Sequence, residues 1–103
     1  MLVVRSRNGV LVRLTEERWE HITRRHPEML EQRERTLETV SEPELILEGD
    51  FGELLAVRFY TETPVTSKFL VVVYRENSPE DGFVLTAYFT SAFSSRRIAV
   101  WKR

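Results

Sequence analysis

A chain of 103 residues, 42% of them hydrophobic, suffices for one domain with one core, and residues 1–103 read as a single unit. The lack of cysteine excludes disulfide frameworks, thiol nucleophiles and zinc–thiolate sites. No apolar run reaches the roughly 20 residues that span a bilayer, so a cytoplasmic protein with no membrane partner is expected, and a net charge of −1 does not advertise a nucleic-acid binder.

The charge is unevenly spread. Residues 1–27 carry six Lys/Arg against three Asp/Glu, residues 28–54 two against nine, and residues 55–103 seven against four. Either the acidic middle is a solvated helix face, or it is a surface turned away from an anionic ligand.

Met1–Arg5 and Val10–Arg13 flank Arg7-Asn8-Gly9, and Asn-Gly between apolar runs predicts a small N-terminal hairpin. Thr15 is placed to cap a helix whose first turn holds Glu16 and Glu17, where the macrodipole favours acids. Pro27 predicts its end at Arg25 or His26. On that helix Thr15, Trp19, Ile22 and His26 share one face, and Glu17, His21 and Arg24 the other. A second helix is expected over Met29–Val40, broken by Ser41-Glu42-Pro43.

From Leu45 the period changes to two, which predicts four strands: Leu45–Glu48, Glu53–Tyr60, Ser67–Arg75 and Phe83–Thr90. Arg96–Trp101 is a candidate short edge strand. The short connections make the sheet antiparallel. The expected fold is therefore α+β, two N-terminal helices packed on one face of a four-stranded antiparallel sheet, with a small N-terminal hairpin.

Alternation divides the long strands into two sets. Leu55, Val57, Phe59, Phe69, Val71, Val73, Phe83, Leu85, Ala87 and Phe89 form an apolar set expected beneath the helices. The opposite set holds Arg58, Tyr60, Lys68, Tyr74, Thr86, Tyr88 and Thr90, with no carboxylate. Tyrosine and threonine favour strands anyway. The same residues also suit a phosphodiester, since cations hold phosphate and tyrosines stack on bases.

His21 and His26 lie five apart, about 140° apart around a helix, so they cannot form an i, i+4 metal pair. No HExxH occurs and no carboxylates fall at ligand spacing; neither metal nor cofactor is expected. His26 reads either as a partly buried structural histidine or as a general acid/base at the mouth of a cleft. His21 reads either as a solvated surface histidine or as its partner. RNA cleavage without metal needs a base for the 2′-hydroxyl, a cation for the phosphorane and an acid for the 5′-oxygen.

WEHITRRHPEM, the following TLETVSEPELIL, and the pair KFLVVVY and GFVLTAYFTS resemble small bacterial and phage nuclease domains of the barnase–EndoU–colicin–RelE type, particularly the phage-associated branch. The resemblance covers roughly Leu14–Ser91. It implies the two-helix, four-strand fold and a metal-independent, toxin-like endoribonuclease. It also implies site residues His21 and His26, the cation Arg58 or Lys68, and the hydroxyls of Tyr88, Thr90 and Ser91. RNA is the implied substrate, and a masking protein or antitoxin the implied partner. The chain departs from the family in its slight acidity and in having no glutamate on the expected open face. The alternative is a non-catalytic module on the same fold that binds protein or nucleic acid, or a domain that dimerises through an edge near Ile98–Trp101.

Overall fold

Gly9, at φ +83°, turns strand β1 (Leu2–Arg5) back onto strand β2 (Leu11–Leu14) in a computed structural model that describes residues 1–94 and 96–103. Helix α1 (Glu16–Arg25) follows at once, and Thr15 Oγ1 caps it by accepting from the Arg18 amide at 3.1 Å. Pro27 ends it, and the chain continues through a 3₁₀ turn, Pro27–Met29, into helix α2 (Arg33–Ser41). The second helix thus starts four residues later than expected. Glu31 stands at φ 67°, a left-handed conformation through which no right-handed helix runs.

The remaining strands are β3 (Leu45–Glu48), β4 (Leu54–Phe59), β5 (Phe69–Ser78), β6 (Asp81–Thr90) and β7 (Ala99–Lys102). The four-stranded antiparallel sheet is not what forms. The molecule is α+β, but its sheet is seven-stranded and mixed, in the order β1-β2-β6-β5-β4-β3-β7, and it carries two α-helices. The hairpin joins because β2 pairs parallel with β6, Val12 with Gly82 and Arg13 with Phe83. Gly82 makes this possible: a Cβ there would stand 2.6 Å from the Arg75 carbonyl oxygen and 3.2 Å from Val12 Cγ2. At the far edge β7 pairs with β3, Ile46 opposite Trp101. The sheet curls enough that the Arg7 guanidinium, in the first hairpin, sits 4.8 Å from the centre of the Trp101 ring, in the last strand.

The two faces also differ from expectation. Ala56, Leu70, Val72, Tyr74, Val84, Ala87 and Phe89 pack with Trp19, Ile22, Met29 and Val40 of the helical layer. Leu55, Val57, Phe69, Val71 and Val73, expected beneath the helices, lie on the opposite face with Tyr88. Alternation within a strand defines two sets of side chains, whereas cross-strand register decides which sets share a face. Here Leu70 pairs with Phe89 and Val72 with Ala87, while Val71 pairs with Tyr88. A shift between the pairs Val73–Thr86 and Tyr74–Val84 leaves Leu85 as a bulge and reverses the alternation of β6. Arg58 and Tyr60 therefore share the helix face, and Thr86, Tyr88 and Thr90 the other.

That second face is not bare. Strands β6 and β7 lie on opposite sides of β5, β4 and β3, so the chain joining them crosses these strands. Phe93 packs edge-on against Phe69 with ring centres 5.3 Å apart, and the Glu48 amide donates to the Ile98 carbonyl at 2.9 Å. Leu47, Leu55, Val57 and Val71 are buried there although no helix covers them.

Candidate functional site

Strand β2 covers only the first residues of β6, and from Val84 onward that edge of β6 has no strand beside it. Helix α1 occupies the place instead. Arg18 of α1 donates through Nη1 to the Leu85 carbonyl at 3.4 Å, which fixes the Arg18 side of the helix toward β6. Arg25 lies seven residues on, about 20° away in heading, and so extends that side. The next residue is His26, whose amide donates to the Ile22 carbonyl at 2.7 Å and completes the last turn of α1. Pro27 then redirects the backbone and leaves the imidazole at the sheet edge.

There His26 meets Tyr88. Their ring centres are 5.8 Å apart, and the planes are tilted by 35°. Glu28 is also near the imidazole, its Oε2 3.8 Å from His26 Nδ1, a little beyond hydrogen-bond length. The side chains of His26 and Glu28 are 32% and 24% exposed, enough to be reached from solvent. The Tyr88 hydroxyl makes no hydrogen bond among the described residues. Thr86, two residues before Tyr88 and on the same face, leaves its hydroxyl equally free among them.

The other expected site residues are dispersed. His21 is exposed on the outer side of α1, in a shallow depression with Glu17, Arg18 and Arg24, and does not join His26. Arg58 is on the helix face, where it donates to the Glu42 carbonyl at 2.6 Å and lies 3.6 Å from Glu38. It shares Glu38 with Tyr60, whose hydroxyl donates to Glu38 Oε1 at 2.6 Å. Burial, aided by that carboxylate, pushes the Tyr60 hydroxyl up to about 12. Lys68 precedes β5 opposite Tyr60, on the register of the helix face, and makes no ion pair among the described residues. Thr90 is close to Tyr88, but its hydroxyl donates to the Ala92 carbonyl at 2.6 Å and closes the turn that follows β6. Ser91 Oγ is 3.0 Å from Ser67 Oγ. Tyr74 is wholly buried, and its hydroxyl has no protein partner among the described residues. Burial and the nearby Glu76 charge raise its pKa.

The structure thus brings His26 to Tyr88 and separates both from His21, Arg58 and Lys68. Glu28 joins the pair, 3.8 Å from His26 Nδ1, whereas Arg18 reaches the Leu85 carbonyl and shares the depression of His21. Glu28 is visible in the His-Pro-Glu run. What could not be read was the position of α1 at an edge of the sheet, because that depends on where β2 stops pairing.

No three His, Asp or Glu side chains among the described residues group to hold a metal ion, and no helix is long and apolar enough to cross a membrane. No family model, curated protein or solved structure matches the chain.

Proposed function

We propose that this chain is a metal-independent endoribonuclease acting at the α1–β6 edge, with His26 and Tyr88 as its acid–base pair. The observation that carries the reading is their placement: an imidazole and a free phenol 5.8 Å apart by ring centre, at a solvent-accessible edge. A phosphodiester between them would expose its 2′-hydroxyl to one group and its 5′-oxygen to the other. Glu28 beside Nδ1 favours a proton on that nitrogen, leaving Nε2 to accept one. In the reaction His26 Nε2 takes the 2′-hydroxyl proton, and the 2′-oxygen attacks phosphorus. The 5′-oxygen leaves with a proton from Tyr88, giving a 2′,3′-cyclic phosphate and a 5′-hydroxyl. Arg25, the residue before His26 in the chain, is the cation we assign to stabilise the charge that builds on phosphorus.

The likeness of WEHITRRHPEM and GFVLTAYFTS to phage-associated nuclease segments supports the same reading, with a toxin-like role in the cytoplasm. A partner covering the Tyr88 edge would hold such an activity in check.

The test is incubation of the pure chain with mixed RNA in EDTA, beside His26→Ala and His21→Ala. Cleavage is expected from the parent, with a loss of about 100-fold or more for His26→Ala and little change for His21→Ala. No cleavage, with RNA still bound, would leave a non-catalytic binding module. Equal loss in both variants would refute the assignment of roles.

A further inference from the structure

Beyond Tyr88 the same face carries an aromatic row that the reaction does not use. Phe69 stands between Phe59 and Phe93, with ring centres 5.5 Å and 5.3 Å away and both neighbours edge-on. Phe59 is 43% exposed and Phe93 36%, high values for phenylalanines already in contact with one another. The row adjoins the site: Phe69 pairs across the sheet with Thr90, which follows Tyr88 by two residues on the same face. That is a displacement of ~7 Å along β6, about the step between successive bases of an unstacked strand.

We propose that Phe59, Phe69 and Phe93 form a stacking platform for one base of single-stranded RNA, the base next to the phosphate held at His26 and Tyr88. Hydrophobicity alone would suit a protein partner equally, but the surroundings favour a nucleotide. The open-face positions of β4, β5 and β6 beside the row, from Leu55 to Phe59, Phe69 to Val73 and Thr86 to Thr90, include no carboxylate. Ser67 and Ser91, hydrogen-bonded to each other at 3.0 Å, lie at its margin, while Arg97, four residues after Phe93, is held instead by Asp50 at 3.1 Å. Exposed aromatic rings on a strand face without carboxylates suit a base attached to a phosphate chain. Stacking accepts any base, so the platform would give a preference for single strands over duplex with little sequence preference.

The inference rests on RNA lying at the His26–Tyr88 edge, but it can be tested without cleavage. The probes are two fluorescent hexanucleotides that cannot be cut, one a 2′-O-methyl strand with bases and one an abasic sugar–phosphate strand of equal charge. Binding to the full chain is read by anisotropy. The parent should prefer the strand with bases by about tenfold or more. Phe93→Ala and Phe59→Ala should reduce that preference severalfold, and Phe93→Leu, which keeps apolar bulk without a ring, should reduce it as much as Phe93→Ala. His21→Ala, away from the row and the His26–Tyr88 edge, should leave it intact. A preference unchanged in the phenylalanine variants, or retained by Phe93→Leu, overturns stacking. A parent dimer that Phe93→Ala dissociates in sedimentation assigns the row to a second copy and overturns it too. Cleavage by a parent with no base preference removes the platform and keeps the nuclease; base preference without cleavage does the reverse.

Discussion

The two faces of the sheet hold similar chemistry in opposite conditions. On the helix face Tyr60, Arg58 and Glu38 satisfy one another: the phenol donates to the carboxylate, the guanidinium lies beside it, and Arg35 stacks 4.5 Å from the Tyr60 ring centre. At the α1–β6 edge Tyr88, His26 and Glu28 stand near one another without closing a hydrogen bond. The first set is a joint between α2 and β4. The second has donors and acceptors to spare. Residue type is therefore a poor guide to function in this molecule, and unspent hydrogen-bonding capacity a better one.

The tyrosines test this contrast directly. Tyr88→Phe should have the largest effect, a drop in RNA cleavage of about 100-fold with an unchanged denaturation midpoint. A shifted midpoint would mean that Tyr88 is structural after all. Tyr60→Phe should do the opposite, costing ~1 kcal/mol in urea unfolding and leaving cleavage intact.

The same joint should appear as a pH effect. Tyr60 is raised to about 12 in the folded chain, above the ~10 of an unfolded tyrosine, so the folded state holds the proton more tightly. Its contribution is complete below pH ~10 and is lost as pH rises toward ~12. Comparing the urea midpoint of the parent with that of Tyr60→Phe on either side of that window checks the sign, since the difference between them should narrow in alkali.

Tyr74→Phe should have the smallest effect. Removing a buried hydroxyl with no protein partner relieves a desolvation cost, so the variant should match or slightly exceed the parent, by no more than ~1 kcal/mol. Destabilisation would mean that the hydroxyl has a partner after all.

Local signals were legible in the sequence where the chemistry is local. Asn8-Gly9 announced its hairpin, Thr15 its cap and Pro27 the end of α1, and Leu45–Glu48 was bounded correctly because Gly49 and Pro43 flank it. Pairing between distant segments was not legible. Gly82 lies outside the expected strand Phe83–Thr90, yet its lack of a side chain is what admits β2. The bulge at Leu85 ends the apolar run Phe83-Val84-Leu85, where no polar residue marks either face, so nothing in β6 signals the reversal. Both helix-face and open-face sets of β5 are apolar, Leu70 and Val72 against Phe69, Val71 and Val73, which removed the contrast that usually orients a strand. For the candidate site, the His26-Pro27-Glu28 run marks the end of α1 that meets Tyr88, whereas Arg58 and Lys68 lie on the register of the helix face and not on that of Tyr88.

The pairing of Val12 with Gly82 also has a consequence in time. β1, β2 and both helices leave a ribosome before β5 and β6, yet their apolar sides are buried against β5 and β6. The hairpin waits for Gly82, Ile22 and Met29 wait for Ala87 and Phe89, and His26 waits for Tyr88. Stability and the proposed site thus come into being together, with the last turn of β6. A segment ending before Tyr88 would lack both the strand residues that bury Ile22 and Met29 and one half of the proposed site.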